Sequence, residues 1–406
     1  MSNYPKSIKD GKKHNYSFWK NKPVAKFDSV TLESREIEDD LSKRKVYGSN
    51  EETKLPDSMK WVTINMNNSD LMESVAQFLR TYYLIDLSET FRLYYTANFI
   101  KWILGNDGML IAIAKKDTNA ICGVVGSSFK NLTVFDKVRK FANVDFLCAH
   151  PAYRHKKIAH ILIDEITRRI VQNGVHQSCF TSERCIPTPT TVLRYYHRPI
   201  NYIKLQKHGY SDVGGNPTKV QEKFNVEKVI PNGYHVMTEN DINEVYQLYV
   251  SYMTRFNIYC NYTVDEMKYL LLNEHIKAYV IKHDDKIIDF VSYYVLPSFS
   301  VKQTEMIDVA YMFMYSCIEI SGDDLIENML KILAYNSVDV FTVIDSGRMS
   351  DFLFIRELNN DEDSDAEMYD HLYEHKFLKG SGKVHFNLVN WVCPEIKPKQ
   401  LSWIVF

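Results

Sequence analysis

Val144, Phe146, Leu147 and Cys148 form a short apolar run, and further on Ile158, Ile161, Leu162, Ile166 and Ile170 return at helical spacing until Asn173-Gly174. The pattern predicts a buried strand followed by an amphipathic helix with one face toward the core. Between them lies RHKKIA, Arg154 to Ala159. Free backbone N–H groups at a helix N-terminus, with Arg154, His155, Lys156 and Lys157 around them, suit a pyrophosphate through the helix dipole and charge-assisted bonds. A lone basic tetrad reads more simply as a solvated turn, but its place between strand and helix favours the phosphate site.

Other stretches carry the same two periods. Ser69 stands as the cap of a helix whose Leu71, Met72, Val75, Phe78 and Leu79 share a face, and Ile111 to Lys115 and Ile121 to Val125 read as strands around a turn. Downstream, Thr238 precedes a helix bearing Ile242, Val245, Tyr249 and Met253, and TVDE at Thr263 to Glu266 is a capping-box pattern. Ala278 to Ile281 and Ile287 to Val295 predict a hairpin, with further strands at Val309 to Tyr315 and Val338 to Ile344. Val384 to Val392 alternates apolar and polar positions, as a half-buried strand should. Residues 31–60 are charged without a sustained apolar period and predict a surface course, while Gly214, Gly215 and Pro217 mark a boundary. The reading is a mixed α/β chain with a tail and arm at 1–60 and two halves at 61–215 and 216–406.

Composition narrows the function classes. A chain of 406 residues exceeds one small core. Its 49 basic and 51 acidic residues balance to a net charge of -2, which argues against a nucleic-acid partner. Seven cysteines, an odd number with no C-x-x-C pair, read as reduced thiols, neither disulfide framework nor metal site. The start MSNYPKSIKDGKK has no apolar signal core, and no apolar run reaches the length of a membrane span. A soluble, monomeric, cytoplasmic protein is expected, touching membranes peripherally at most. The run DEDSDAE, Asp361 to Glu367, reads as a solvated insertion.

The basic turn, R-x-x-K-x-A between strand and helix, resembles the acyl-CoA pyrophosphate loop of the GNAT superfamily, with Lys157 and Ala159 where glycines are usual. The longer string FLCAH, RHKKIA, LIDEITRR closely resembles the N-myristoyltransferase family segment FLCVH, RSKR-L-A, LIKEITRR. YSFWKNKPVAKF, Tyr16 to Phe27, is similar to that family's YxFWxTQPVPK arm, and FTSERCIPTPTTVLRYYHRPIN, Phe180 to Asn201, to its YTxxxxLPxPxxxxRYWHRSLN. IDFVSYYVLPS, Ile288 to Ser298, and NWVCP, Asn390 to Pro394, complete five matches in the family's order. The resemblance implies two GNAT-like halves related by a pseudo-twofold and sharing a saddle-shaped sheet. It implies myristoyl-CoA as co-substrate, no metal, and proteins with an N-terminal glycine as partners.

It also implies roles. The backbone amides of Phe146 and Leu147 would form an oxyanion hole. Tyr16, Ser17, Phe18 and Trp19 would cover the CoA bound along Phe146, Leu147, Cys148, Ala149, Arg154, His155, Lys156, Lys157, Ile158 and Ala159. The carboxylate of Phe406 would take the proton of the substrate ammonium, a carboxylate whose burial must close a gap of roughly four pKa units to the amine. Tyr83, Asp86, Phe91, Arg92, Thr181, Tyr195, His197, Met312 and Ser381 fall at peptide-side positions. Without the resemblance, the aromatic arm reads as a core anchor, LSWIVF as a last strand and His197 as a packing residue.

Three acceptor-side motifs depart from the family. Its VEDDD is here LIDLS, leaving Asp86 as the only acid. Its GDG is Gly380-Ser381-Gly382, and Met312 replaces a serine. On the donor side, Glu-Ile-Asn before FLC becomes Asn143-Val144-Asp145, which sets a new charge beside the expected reaction centre. The leading expectation is transfer of myristate to an N-terminal glycine amine by direct addition and elimination. The alternatives are a non-catalytic binder of acyl-CoA or lipidated peptide, and a GNAT acyltransferase with another acyl chain or acceptor.

Overall fold

The computed structural model describes residues 4–27, 31–84, 91–211, 214–300, 305–353 and 374–402, and all but the side chains of His155 and Glu374 within them. A mixed sheet of 14 strands runs through the chain, with helices packed on it. Its path begins at Leu401–Ser402 and passes through Ile258–Asn261, Ile121–Val134, Lys137–Ala149 and Gln177–Ser182. It continues through Leu378–Val389, Thr191–Pro199, Val340–Ile344, Val309–Tyr315, Lys286–Val295 and Ile276–His283 to Tyr234–Val236. Met109–Lys115 branches off Ile121–Val134 and carries Met59–Thr63.

The same unit occurs twice. Lys137–Ala149 pairs antiparallel with Ile121–Val134, then parallel with Gln177–Ser182 after the helix Ile158–Gln172. Val309–Tyr315 pairs antiparallel with Lys286–Val295, then parallel with Val340–Ile344 after the helix Gly322–Tyr335. Parallel neighbours need such a crossover, and each helix buries its apolar stripe on the sheet. At the centre the two units interleave. Leu378–Val389 lies between Gln177–Ser182 and Thr191–Pro199, and Val340–Ile344 closes on Thr191–Pro199. Neither unit completes its sheet alone.

That interleaving changes one expectation. Val384 to Leu388 is buried at every position, His385 and Asn387 included, because the strand sits mid-sheet with both faces covered. Other expectations move by small steps. The helix Ser69–Tyr82 is capped by Asn68, whose side chain accepts the Leu71 N–H at 3.0 Å, so Ser69 is its first residue. The capping box at Thr263 and Glu266 forms. Gly214 and Gly215 take positive φ, and Asn216 then caps a short helix, Pro217–Phe224, that buries Val220 and Phe224. Residues 31–60 follow the surface as expected, yet Leu41 and Tyr47 pack into a small core with Val171. The acidic run Asp361 to Glu367 lies outside the described residues.

Candidate active site

The strand Lys137–Ala149 does not stay regular. Val124 pairs with Cys148 and Gly126 with Asp145, so Phe146 and Leu147 together face Val125 alone. This is a β-bulge, and Phe146 holds φ at 56° within it. A bulky residue in the left-handed region is strained, and such strain persists only where the surroundings impose it. The Phe146 ring is buried against Tyr83 and Tyr95, centroids 6.0 and 5.6 Å away, which locks it in place.

The bulge lies in the wall of a cavity of about 420 Å³, within the usual range for ligand sites. Val144 to Ala149 form one wall, with Tyr83 at one side and Thr181 and Ser182 at another. Arg154 and Ala159 line the cavity where the helix Ile158–Gln172 begins. Lys157, in the left-handed conformation with φ at 58°, precedes that helix and gives it no side-chain cap, and no acid occupies its first turn. Its first N–H groups therefore lack the usual side-chain acceptor, as an anion site requires. Ile158 is fully buried and pins this end to the core. Lys156 is exposed, its ammonium 5.3 Å from the Tyr153 ring centre.

The aromatic arm packs beside the cavity and lines it with Trp19. Trp19 is buried and stacks on Phe180 at 5.8 Å, and Phe18 stacks on His160 of the helix at 4.0 Å. The buried Tyr16 hydroxyl donates to the Cys185 carbonyl at 2.9 Å, while Ser17 faces solvent. Lys22 anchors the arm: it ion-pairs with Asp164 on the helix and donates to Tyr47 at 2.9 Å. Lys22 and Tyr47 also line the cavity. Sequence reading missed both, and Asp164 with them, because their contact spans 142 residues of chain. Only the nearness of Lys22 to Phe18 and Trp19 hinted at it.

The acceptor-side residues divide. Tyr83 and Thr181 line the cavity with Asp145. Tyr195 and His197 stand apart on the central strand, where the Thr342 hydroxyl lies 3.0 Å from His197 Nδ1. Burial pulls His197 down to about 4, so its ring is neutral at neutral pH. Gly380 fits against it: an added Cβ would lie 2.8 Å from the Tyr195 carbonyl and 3.0 Å from His197 Nε2. Ser381 beside it is exposed. Met312 lines a second cavity of about 40 Å³ with Ser346 and Ser402. Phe91 and Arg92 sit on a short strand paired with Ser298–Ser300, the Phe91 ring edge-on to Tyr210 at 5.1 Å. Asp86, Phe406 and the side chain of His155 lie outside the described residues. No group of three metal-ligating side chains gathers among the described residues.

Known proteins resemble this chain in sequence and in fold. Residues 37–192 match the N-terminal domain model of the Myristoyl-CoA:protein N-myristoyltransferase family, and residues 200–402 match its C-terminal domain model. A glycylpeptide N-tetradecanoyltransferase of Kluyveromyces lactis is 29% identical over 93% of this chain and 86% of its own length. One from Candida albicans is 31% identical over 74% of this chain and 70% of its own. A crystal structure of Saccharomyces cerevisiae N-myristoyltransferase with bound myristoyl-CoA superposes with a TM-score of 0.83 at 24% identity, covering 94% of each chain, a likeness of fold. The two family models together span most of the sequence, and the chain belongs to the Myristoyl-CoA:protein N-myristoyltransferase family.

Proposed function

We infer that this chain transfers myristate from myristoyl-CoA to the N-terminal glycine amine of protein substrates. The observation that carries the reading is the bulged Phe146-Leu147 segment in the wall of a cavity that is also lined by residues at an uncapped helix N-terminus. On this reading the CoA phosphates lie at Arg154, Lys156, Lys157 and the first turn after Ile158, with Ala159 leaving room for them. The backbone amides of Phe146 and Leu147 receive the thioester carbonyl oxygen along Cys148 and Ala149. The arm carrying Tyr16, Phe18 and Trp19 excludes water from the thioester.

Attack by the neutral amine forms the C–N bond and places negative charge on the carbonyl oxygen. Collapse of that adduct breaks the C–S bond and releases CoA. No covalent bond to the protein is required. The peptide's first residue meets the thioester between Tyr83 and Thr181, where a side chain would crowd the amine's approach; Tyr195, His197, Met312, Phe91, Arg92, Asp86 and Ser381 serve the residues that follow. The resemblance assigns proton removal to the Phe406 carboxylate. We place the protein in the cytoplasm as a monomer. Its seven unpaired cysteines suit a reducing compartment, and among the described residues no helix is long and apolar enough to cross a membrane.

The test is mass spectrometry of peptides incubated with the protein and CoA thioesters of several chain lengths. Gly-starting peptides should gain a myristoyl group at the terminal nitrogen and their Ala-starting counterparts should not. Equal reaction of both would point to a broader acyltransferase, and reaction of neither to a binding protein.

A further inference from the structure

Asp145 immediately precedes the bulge and lines the same cavity as Phe146, Leu147 and Thr181. Across the strand pair it is opposite Gly126, which offers no side chain. Among the described residues its one hydrogen bond comes from the Asn143 amide. Asn143 is itself buried and fixed from behind, its Oδ1 3.7 Å from the Cys179 thiol. Among the described residues, the titratable and charged groups that act on Asp145 are Tyr83, Tyr95 and Cys179, with Lys130 as the cation. Among the described residues no ion pair to Asp145 at contact distance is formed. A carboxylate has roughly four acceptor positions, and an ionised one with a single donor in a water-poor wall is costly.

The missing partner is a cation, and on the transferase reading above a peptide's terminal ammonium is the cation that has to reach the thioester beside Phe146 and Leu147. We propose that Asp145, in place of the Phe406 carboxylate that the resemblance assigns, is the counter-ion of the substrate glycine's ammonium and accepts its first proton. This rests on the transferase reading above. The ammonium gives one proton to the carboxylate, leaving a neutral amine and a neutral carboxylic acid. The amine's lone pair forms the bond to the thioester carbon, and its second proton leaves with the CoA sulfur as the C–S bond breaks. Burial, opposed by Lys130 and by the bond from Asn143, pushes Asp145 up to about 6. That brings it within about two pKa units of an α-amine, where an ordinary aspartate stands about four below. The family segment carries asparagine at this position, so the carboxylate is this chain's own departure.

The experiment uses the full chain, myristoyl-CoA and a Gly-starting peptide, with wild type and Asp145→Asn compared across pH. Asparagine keeps the shape and the family's residue, so the fold is expected to hold, and a thermal melt checks it. Wild type should show an acid limb in kcat/KM near pH 6. Asp145→Asn should lose that limb and about 10²-fold in kcat at neutral pH. A binding arm measures, by calorimetry on protein loaded with a non-reactive thioether analogue of myristoyl-CoA, the Kd of the peptide and of its desamino counterpart. Wild type should prefer the amine and the variant should not. An unchanged limb, kcat within about twofold and an unchanged preference would overturn the proposal while leaving the transferase reading intact. If wild type acylates no peptide, the transferase reading fails instead, and the amine preference alone decides whether Asp145 holds an ammonium.

Discussion

Glu165, fully buried, and Asp145, half-buried in a cavity wall, are two carboxylates on the helix Ile158–Gln172 and the strand before it, and they are treated in opposite ways. Glu165 has no exposed surface and accepts from the Thr53 N–H at 2.9 Å, the Thr53 hydroxyl at 3.0 Å, Arg168 at 2.7 and 2.9 Å, and Arg169 at 2.6 Å. Burial alone would raise it, but Arg168, Thr53 and Arg169 together carry it down to about 2. Asp145 has one amide donor and an open cavity in front of it, and burial carries it up to about 6. Enclosure does not decide the ionisation of a carboxylate; the count of its partners does. The protein completes Glu165 itself and leaves Asp145 to a ligand.

The comparison breaks most visibly at Glu165. Glu165→Ala leaves Arg168 buried and unpaired and should cost about 3–5 kcal/mol in urea unfolding. Because Glu165 is lowered in the folded state, its contribution is present above about pH 4.5 and is lost as pH falls toward about 2. Loss under about 1 kcal/mol would mean the network is only solvated charge.

Asp145 should answer with the opposite sign. Its pKa is raised from 3.8 to about 6, so the folded chain keeps a proton that the unfolded chain has released, and stability falls as pH rises through that window. Asp145→Asn should therefore stabilise the protein by about 1–2 kcal/mol at pH 7.5 and leave it unchanged at pH 4, as urea curves at both pH values would read. Stabilisation together with slower turnover is the mark of a group kept for function.

How far the sequence carried this contrast depends on range. Helix period located Ile158–Gln172, and TVDE located the capping box of the helix Val264–Leu271, because both signals are local in the chain. The buried Glu165 escaped notice since its donor Thr53 is 112 residues away. The interleaving of Leu378–Val389 with Thr191–Pro199 is likewise a long-range fact, and so the polar positions His385 and Asn387 read as exposed when they are covered. The strand at Phe146 was legible but its bulge was not: phenylalanine is a poor marker of positive φ, and only the extra residue opposite Val125 reveals it. Asp145, in contrast, stood out in the sequence as a charge beside the expected reaction centre.

Two smaller effects sharpen the donor and acceptor sides. Lys157→Glu, at the exposed rim of the uncapped helix, should weaken CoA binding by about tenfold in calorimetry, since it opposes the phosphates without touching the core. Unchanged affinity would remove the basic turn from the site. The smallest effect concerns a lysine later in the peptide. With Ser381 exposed where the family carries an acid, replacing that lysine by alanine should change kcat/KM by no more than about 1 kcal/mol, and Ser381→Asp should make the same replacement costlier.

The contrast between the two carboxylates is tested most directly by the infrared difference between wild type and Asp145→Asn, followed against pH with and without a Gly-starting peptide on analogue-loaded protein. The carboxylate signal of the free protein should titrate near pH 6 and move to lower pH when the peptide ammonium binds, as an opposite charge at contact requires. A signal that titrates near pH 4 in the free protein, or that ignores the peptide, would contradict the account.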